Sequence, residues 1–265
     1  MAGTIRFEQQ DGVGRVTISH PLRLNAMSRL MWQQLRSVFE RVQASTQLRC
    51  VVVAGESQNF CAGGDISEYA DFRFQEASLR QFHEVDVWGG LRAMLDCDVP
   101  IVAQIEGHCM GAGMEIASCC DIRLAGVSAR FGAPIARLGF PMAPREAALV
   151  AREAGLGVAR QMLLEAAIFS ASDMKATGFL NSALADGQVA TEAQATARRI
   201  VALAPQAARL NKQTLRALLS TAPADAASDA QKAARTEAGN SYAYASSVEH
   251  REGILAFLEK RKPAF

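Results

Sequence analysis

The first half of the chain repeats one arrangement: a short apolar run, then a turn with glycines, then a helical pattern. Residues 50–55 (CVVVAG) precede a turn at residues 59–65, and residues 101–105 (IVAQI) precede a turn at residues 107–113. A helix between two strands is typical of parallel pairing, because the chain must cross over to begin the next strand at the same end. The repeat predicts an α/β fold, a right-handed spiral of ββα units.

The segments before and between these turns fit the same fold. Residues 4–8 and 13–19 predict two strands joined by a tight turn. Residues 28–42 carry apolar side chains at helical spacing, with Ser28 as N-cap. A second helical stretch, broken around residues 70–74, follows the first glycine turn.

The chain from Pro144 onward is rich in alanine, and its pattern is almost wholly helical. Helices are predicted over residues 145–154, 158–165, 172–177, 191–203, 205–219, 224–238 and 249–260. We predict a core of residues 1–200 and a C-terminal helical region of residues 201–265. The alanine-rich faces and an apolar stripe in the last helix predict that this region serves assembly. The stripe consists of Ile254, Phe257 and Leu258.

The charge balance and hydropathy favour a small-molecule ligand. The 265 residues include 28 Lys and Arg against 27 Asp and Glu, a net charge of +1, which gives nucleic acid or an anionic membrane no electrostatic attraction. No apolar run approaches the ~18 residues that span a bilayer, and the first residues lack the apolar core of a signal peptide. We therefore expect a cytoplasmic protein. The six cysteines form no C-x-x-C pair and the four histidines no H-x-x-x-H pair, so no metal is expected.

Both glycine turns are candidate sites for a negatively charged oxygen. Residues 60–66 read FCAGGDI, and residues 107–115 read GHCMGAGME. A turn that opens a helix leaves backbone N–H groups unpaired at the positive end of the helix dipole. The second turn begins like a dinucleotide fingerprint, but Ile116 stands at its third glycine position and no acidic residue follows at the required distance. Neither a P-loop nor a G-x-S-x-G motif is present.

These two turns resemble the signatures of the enoyl-CoA hydratase/isomerase (crotonase) superfamily. The likeness extends to residues 23–27 (RLNAM), residues 120–123 (CDIR), residues 130–134 (RFGAP) and residues 251–261 (REGILAFLEKR). It implies a substrate that is an acyl-CoA thioester, with coenzyme A as part of the substrate and no separate cofactor. It also implies a homotrimer or a hexamer, because relatives form trimers that often pair.

The resemblance places the thioester carbonyl between the backbone N–H groups of Gly64 and Ala112. Reactions at Cα or Cβ of a thioester pass through an enolate, whose oxygen needs preorganised donors. Glu115, three residues after Ala112, is implied as the general acid/base. Further contacts with the substrate are implied for Arg23, Ala62, Asp65, Ile66, Ile135, Phe140 and Lys260. Arg23 and Lys260 are the candidates for the phosphates of coenzyme A.

The chain departs from the family at Ile135, where hydratases have a second glutamate. An apolar residue there predicts weak hydration and predicts that Ile135→Glu would raise it. Glu146 follows Pro144 at the start of a helix, so we expect it to complement the helix dipole and not to replace the missing acid. Glu84 and Asp86 are expected on a solvated helix face.

Three functions remain open. Hydration of a 2-enoyl-CoA is the leading one, because relatives that carry the glutamate at position 115 most often perform it. Double-bond isomerisation suits a site with one carboxylate at least as well. The third is a non-catalytic paralogue that binds acyl-CoA and has lost the chemistry with its second glutamate.

Overall fold

A computed structural model describes residues 2–218 and 242–265. Its strands are β1 (Thr4–Gln10), β2 (Val13–Ser19), β3 (Cys50–Gly55), β4 (Ile101–Ile105), β5 (His108–Met110), β6 (Ile122–Gly126), β7 (Arg130–Gly132), β8 (Ile168–Ser170) and β9 (Ser182–Leu184). Six of them form one sheet in the order β1-β2-β3-β4-β6-β9, and β5-β7-β8 form a second. In the larger sheet β1 and β2 are antiparallel and every other pair is parallel.

Helices connect the parallel strands, as a spiral of ββα units requires. The α-helices are α1 (Arg29–Ala44), α2 (Glu76–Gln81), α3 (Trp88–Asp96), α4 (Ala112–Ser118), α5 (Pro144–Ala154), α6 (Leu156–Arg160), α7 (Ala171–Ala176), α8 (Val189–Val201), α9 (Pro205–Leu218) and α10 (Val248–Leu258). Short 3-10 helices cover Pro21–Arg23, Ile66–Asp71, Ile135–Leu138 and Ala243–Ser246. Two π-helical segments, Phe82–Val87 and Gln161–Glu165, continue α2 and α6.

The central strands β3 and β4 lie inside the molecule. All five residues of β4 are buried, and Gly55 is the one residue of β3 that is partly exposed. Apolar side chains on both faces of a strand are typical of a parallel sheet covered by helices. One face packs on α1 and α3, where Trp32 and Phe39 are fully enclosed, and α8 covers the other. This rigid centre fixes the loops that follow the carboxyl ends of β3 and β4.

The predicted α/β class is confirmed, and most predicted elements lie within a few residues of their positions. Ser28 caps α1 by accepting a hydrogen bond from the Met31 N–H at 3.3 Å. The chain beyond Pro144 was predicted to be almost wholly helical, and the strands β8 and β9, which lie between the predicted helices, were not predicted. Each of these strands has three residues, which is too short for a pattern of period two to stand out. The helix predicted over residues 224–238 lies outside the described residues.

Within the described residues, no helix combines the length and the hydropathy needed to cross a bilayer.

Candidate active site

The two glycine turns lie side by side. Cys61 pairs with Cys109 as an isolated parallel bridge, and the Met110 N–H donates to the Cys61 carbonyl at 2.8 Å. A side chain on Gly111, which has φ +48°, would lie 3.5 Å from the Cα of Gly63. That spacing is an ordinary van der Waals contact, and it is the positive φ that favours glycine at position 111. The strand pairing therefore places the two loops against each other.

The backbone N–H groups of Gly64 and Ala112 are free in the two turns. The Met27 N–H donates to the Gly63 carbonyl and the Asp65 N–H to the Met27 carbonyl, both at 2.8 Å, so the Gly64 N–H between them takes no part in this pairing. Ala112 is the first residue of α4, where an N–H has no acceptor in the preceding turn. Within the described residues, neither N–H donates to a protein acceptor.

Glu115 follows these amides in the first turn of α4, and only 8% of its surface is exposed. Burial raises the pKa of its carboxyl group well above the usual value. The negative charge of Glu146 raises that pKa further, and the positive charge of Arg73 opposes both effects. A carboxyl group with a raised pKa keeps its proton to higher pH and can act as a general acid.

The sequence did not predict that a second carboxyl group, that of Glu146, lies near Glu115. Glu146 lies in the first turn of α5, as expected of a group that complements the helix dipole. However, α5 packs against α4, and only 2% of the Glu146 surface is exposed. This burial was not predicted from the sequence. The helix pair buries two carboxyl groups close enough for one to shift the pKa of the other.

The imidazole of His83 lies between Glu146 and Arg73 and forms a hydrogen bond with each of them. Its Nδ1 lies 3.2 Å from Glu146 Oε1, and its Nε2 lies 3.2 Å from Arg73 Nη2. A guanidinium group has no acceptor, so Nε2 must accept and Nδ1 must carry the proton that is donated to Glu146. We therefore assign the neutral Nδ1–H tautomer to His83.

A π-helical segment explains why the sequence pattern did not single out His83. Phe82–Val87 is wound as a π-helix between α2 and α3. The wider turn shifts the phase of the side chains, so helical periodicity of 3.6 does not identify the inward face there. The available signal in the sequence was a histidine close to two acidic residues, Glu84 and Asp86.

The guanidinium group of Arg73 packs between two aromatic rings beside His83. Its guanidinium carbon lies 3.8 Å from the centre of the Phe140 ring and 4.1 Å from that of Tyr69. Arg73 Nε is buried and has no hydrogen-bond partner within the described residues. The Tyr69 hydroxyl lies against Gly64, where any side chain would overlap it, and burial raises the pKa of Tyr69. The rings thus fix a cation beside the carboxyl pair.

The residues of the first turn serve the fold as well as the candidate site. Asp65 is buried and caps the 3-10 helix Ile66–Asp71, with its Oδ1 accepting from the Ser67 N–H at 3.1 Å. Arg23 is half-exposed, and its Nη1 lies 3.8 Å from Asp65 Oδ1. Ala62 is partly buried and Ile66 is 53% exposed.

The remaining predicted contacts are less closely associated with the glycine turns. Ile135 opens the 3-10 helix Ile135–Leu138 and is partly buried. Lys260 is exposed beyond α10, and no hydrogen bond or ion pair joins its side chain to the described turns. The tail after it is bound through the Phe265 carbonyl, which accepts from Arg49 at 2.9 Å, just before the amino end of β3. The turns follow the opposite ends of the strands.

Other candidates weighed in the sequence have structural partners. Asp86 is buried and accepts from Arg29 Nε at 2.5 Å, whereas Glu84 is exposed and pairs with Arg145 at 2.9 Å. Among the described residues, no three His, Cys, Asp or Glu side chains are grouped closely enough to hold a metal ion.

The free energy of unfolding is expected to depend on pH through Glu115. The folded pKa is raised, so this group's contribution to stability is complete below the unfolded value of 4.5 and is lost as pH rises toward the folded pKa. The variant Glu115→Gln should lose less of its free energy of unfolding as the pH rises. Urea denaturation of both proteins from pH 4 to pH 8 tests this, with Glu84→Gln as an exposed control. Equal pH dependence in wild type and Glu115→Gln would refute a raised pKa.

Comparison with known proteins agrees with this geometry. A family model described as enoyl-CoA hydratase/isomerase matches residues 8–265. The chain belongs to the enoyl-CoA hydratase/isomerase, or crotonase, family. It is 29% identical to a short-chain-enoyl-CoA hydratase from Clostridium acetobutylicum, across 97% of this chain and 95% of that protein. It is 27% identical to a probable enoyl-CoA hydratase from Mycobacterium bovis, across 99% of this chain and 97% of that protein.

The solved structures agree with the fold as a whole. A crystal structure of an enoyl-CoA hydratase/carnithine racemase from Magnetospirillum magneticum superposes with a TM-score of 0.90 at 32% identity, covering 100% of this chain and 96% of that one. The crotonase fold therefore extends over the chain, and the family implies an acyl-CoA substrate.

Proposed function

We propose that this crotonase-family protein is an enzyme that acts on acyl-CoA thioesters through an enolate, and that it hydrates a 2-enoyl-CoA. The observation that carries this proposal is the position of Glu115. It is a buried carboxyl group with a raised pKa, in the same helical turn as the free N–H of Ala112. The N–H of Gly64 lies in the adjoining turn. Two donors and one proton-transfer group are what an enolate mechanism needs.

The two amides would hold the thioester oxygen while charge develops on it. Addition of water at Cβ of an enoyl thioester moves electrons onto that oxygen, and protonation of Cα then discharges it. Glu115 would deliver the Cα proton. The backbone donors do not depend on side chains, so small residues at positions 64 and 112 suffice and leave room for the thioester.

Double-bond isomerisation is the second candidate, and the residue at position 135 is the observation that favours it. Isoleucine stands where hydratases of the family have a second glutamate. A proton shift between Cα and Cγ needs one carboxylate, and Glu115 supplies one. Incubation with crotonyl-CoA and with 3-hexenoyl-CoA separates the reactions, because hydration removes the absorbance of an enoyl thioester and isomerisation creates it. A protein that binds both substrates and converts neither would be a non-catalytic paralogue.

For substrate binding we propose the residues implied by the family resemblance. Arg23 is exposed on the rim of the first turn, where it could meet a phosphate of coenzyme A. Phe140 and Ile135 border the acyl side, and Ala62, Asp65 and Ile66 form the loop that the thioester would cross. Lys260 belongs to this set only if another subunit brings it to the site, because the tail of its own chain is bound beside β3.

The C-terminal region is proposed to hold a homotrimer or a hexamer. Within the described residues, α10 exposes Val248 at 85%, Phe257 at 81% and Leu258 at 69%, more apolar surface than a helix usually presents to water. Removal of the chain after Pro223 is expected to yield dissociated or insoluble protein. Sedimentation velocity of the full-length and shortened proteins measures this, and a full-length chain that sediments as a monomer would contradict the proposal.

A further inference from the structure

We propose that Glu146 is the second carboxylate of the reaction, in place of the family's residue at position 135, and that His83 and Arg73 are positioning residues that hold it. This inference rests on the proposed function. It deepens that function by giving the site a group that activates water.

The surroundings of Glu146 are unsuited to a purely structural carboxylate. Buried carboxylates are normally paired with a cation, because an uncompensated charge inside a protein is costly. Within the described residues, the one hydrogen bond to the Glu146 side chain comes from His83, a neutral ring. Glu115 lies close enough for the charge of Glu146 to raise its pKa. Two carboxyl groups buried side by side are typical of an acid and base pair.

The contacts of Arg73 fix the orientation of the imidazole. The Tyr69 and Phe140 rings confine the guanidinium, and its Nη2 donates to His83 Nε2. Because a guanidinium group has no acceptor, Nε2 is the accepting nitrogen and Nδ1 carries the donated proton. The Nδ1–H points at Glu146 Oε1, and a donor in that position stabilises negative charge on a carboxylate.

In the proposed step Glu146 acts on the attacking water and Glu115 acts on Cα. Ionised Glu146 removes a proton from water as the water oxygen bonds to Cβ of the enoyl thioester. The electrons of the double bond move onto the thioester oxygen, held by Gly64 and Ala112. The enolate collapses, and Cα takes the proton of Glu115. One water has been added, and a proton passing from Glu146 to Glu115 through solvent restores the starting state.

The charged neighbours of the pair come from several elements. Glu146 faces Glu115 from α4 and His83 from the π-helix, with Arg73 behind the imidazole. Glu115 also acts on the pKa values of the Cys61, Cys119 and Tyr69 side chains. These last three groups are neutral near pH 7, because each pKa is raised. The pH response of the site is therefore expected to come from the two glutamates.

The first test separates the two carboxylates by substrate. Glu146→Gln is expected to lower the hydration of crotonyl-CoA by about 10²- to 10⁴-fold, the usual contribution of a positioned acid or base. It should still exchange the Cα protons of butyryl-CoA in D2O, since that exchange needs only Glu115 and the two amides. The pH profile of this exchange should also shift to lower pH, because the variant lacks the charge of Glu146 that raises the pKa of Glu115. A purely structural role would instead predict that hydration and exchange fall by the same factor or not at all.

The second test examines His83 with a matched pair of variants. His83→Asn keeps an N–H near the place of Nδ1, and His83→Leu removes it. His83→Leu should lower hydration by about 10- to 100-fold, as expected for the loss of one hydrogen bond to a charged group. It should also move the acidic limb of the rate profile to higher pH, and His83→Asn should restore much of both. Glu84→Gln, on the same π-helix, serves as the unchanged control.

Ile135→Glu completes the test. With Glu146 already present, a third carboxylate should raise hydration by less than about tenfold, whereas a site that lacks a second acid should gain about 10²- to 10⁴-fold. A large gain, or full hydration by a folded Glu146→Gln, would overturn the role of Glu146. A wild type that exchanges Cα protons without hydrating would overturn it as well. If wild type neither hydrates nor exchanges any acyl-CoA that it binds, the proposed function is wrong and this inference fails with it.

Discussion

Glu115→Gln is expected to lower kcat for crotonyl-CoA by about 10²- to 10⁴-fold while acyl-CoA binding is nearly unchanged. The amide keeps the volume of the side chain but cannot transfer a proton. The amides of Gly64 and Ala112 remain in place, so the thioester should still bind. Unlike Glu146→Gln, this variant should also lose Cα exchange, because Glu115 is the group proposed to move the Cα proton.

Steady-state kinetics and calorimetric titration with butyryl-CoA measure the two quantities separately. Glu84→Gln controls for the general effect of replacing a glutamate on the surface of the same region. An undiminished kcat in folded Glu115→Gln would remove Glu115 from the mechanism.

The second large effect is expected for Ala112→Pro, which should lower kcat by about 10²- to 10³-fold. Proline has no N–H, so it deletes one of the two donors to the enolate oxygen. The substitution is compatible with helix geometry, since proline is well tolerated at the first position of a helix, where Ala112 lies.

Ala112→Gly is the matched control for that change, because it retains the N–H and alters only the side chain. It should keep most of the activity. Circular dichroism and the unfolding midpoint show whether each variant is folded. Wild-type kcat in folded Ala112→Pro would contradict the role of this amide.

The sequence predicted those parts of the site that are formed by residues close to one another in the chain. The two glycine turns and Glu115 lie within short segments whose backbone geometry depends on their own residues. Gly111 has a positive φ and Gly63 approaches it closely, and such positions are recognisable as glycines in a turn between strand and helix. The strands β3 and β4 were equally clear, because runs of apolar residues bounded by glycine or proline have few other interpretations.

The second carboxylate and its partner were not accessible in the same way. Glu146 has the sequence context of a surface residue in a first helical turn, and only the packing of α5 on α4 turns it inward. His83 depends on a π-helical segment, which shifts the phase that a regular helix would give. The contact between His83 and Glu146 joins residues that lie 63 positions apart. No local pattern encodes such a contact.

The central claim is that Glu115 and the amides of Gly64 and Ala112 form and protonate an enolate of an acyl-CoA. The most direct measurement is incorporation of deuterium at Cα, by mass spectrometry, in a panel of saturated acyl-CoAs incubated in D2O with wild type and Glu115→Gln. The account predicts a mass increase with wild type for the acyl groups that bind, and none above background with Glu115→Gln. Binding of acyl-CoAs by wild type without any exchange, or equal exchange by both proteins, would contradict it.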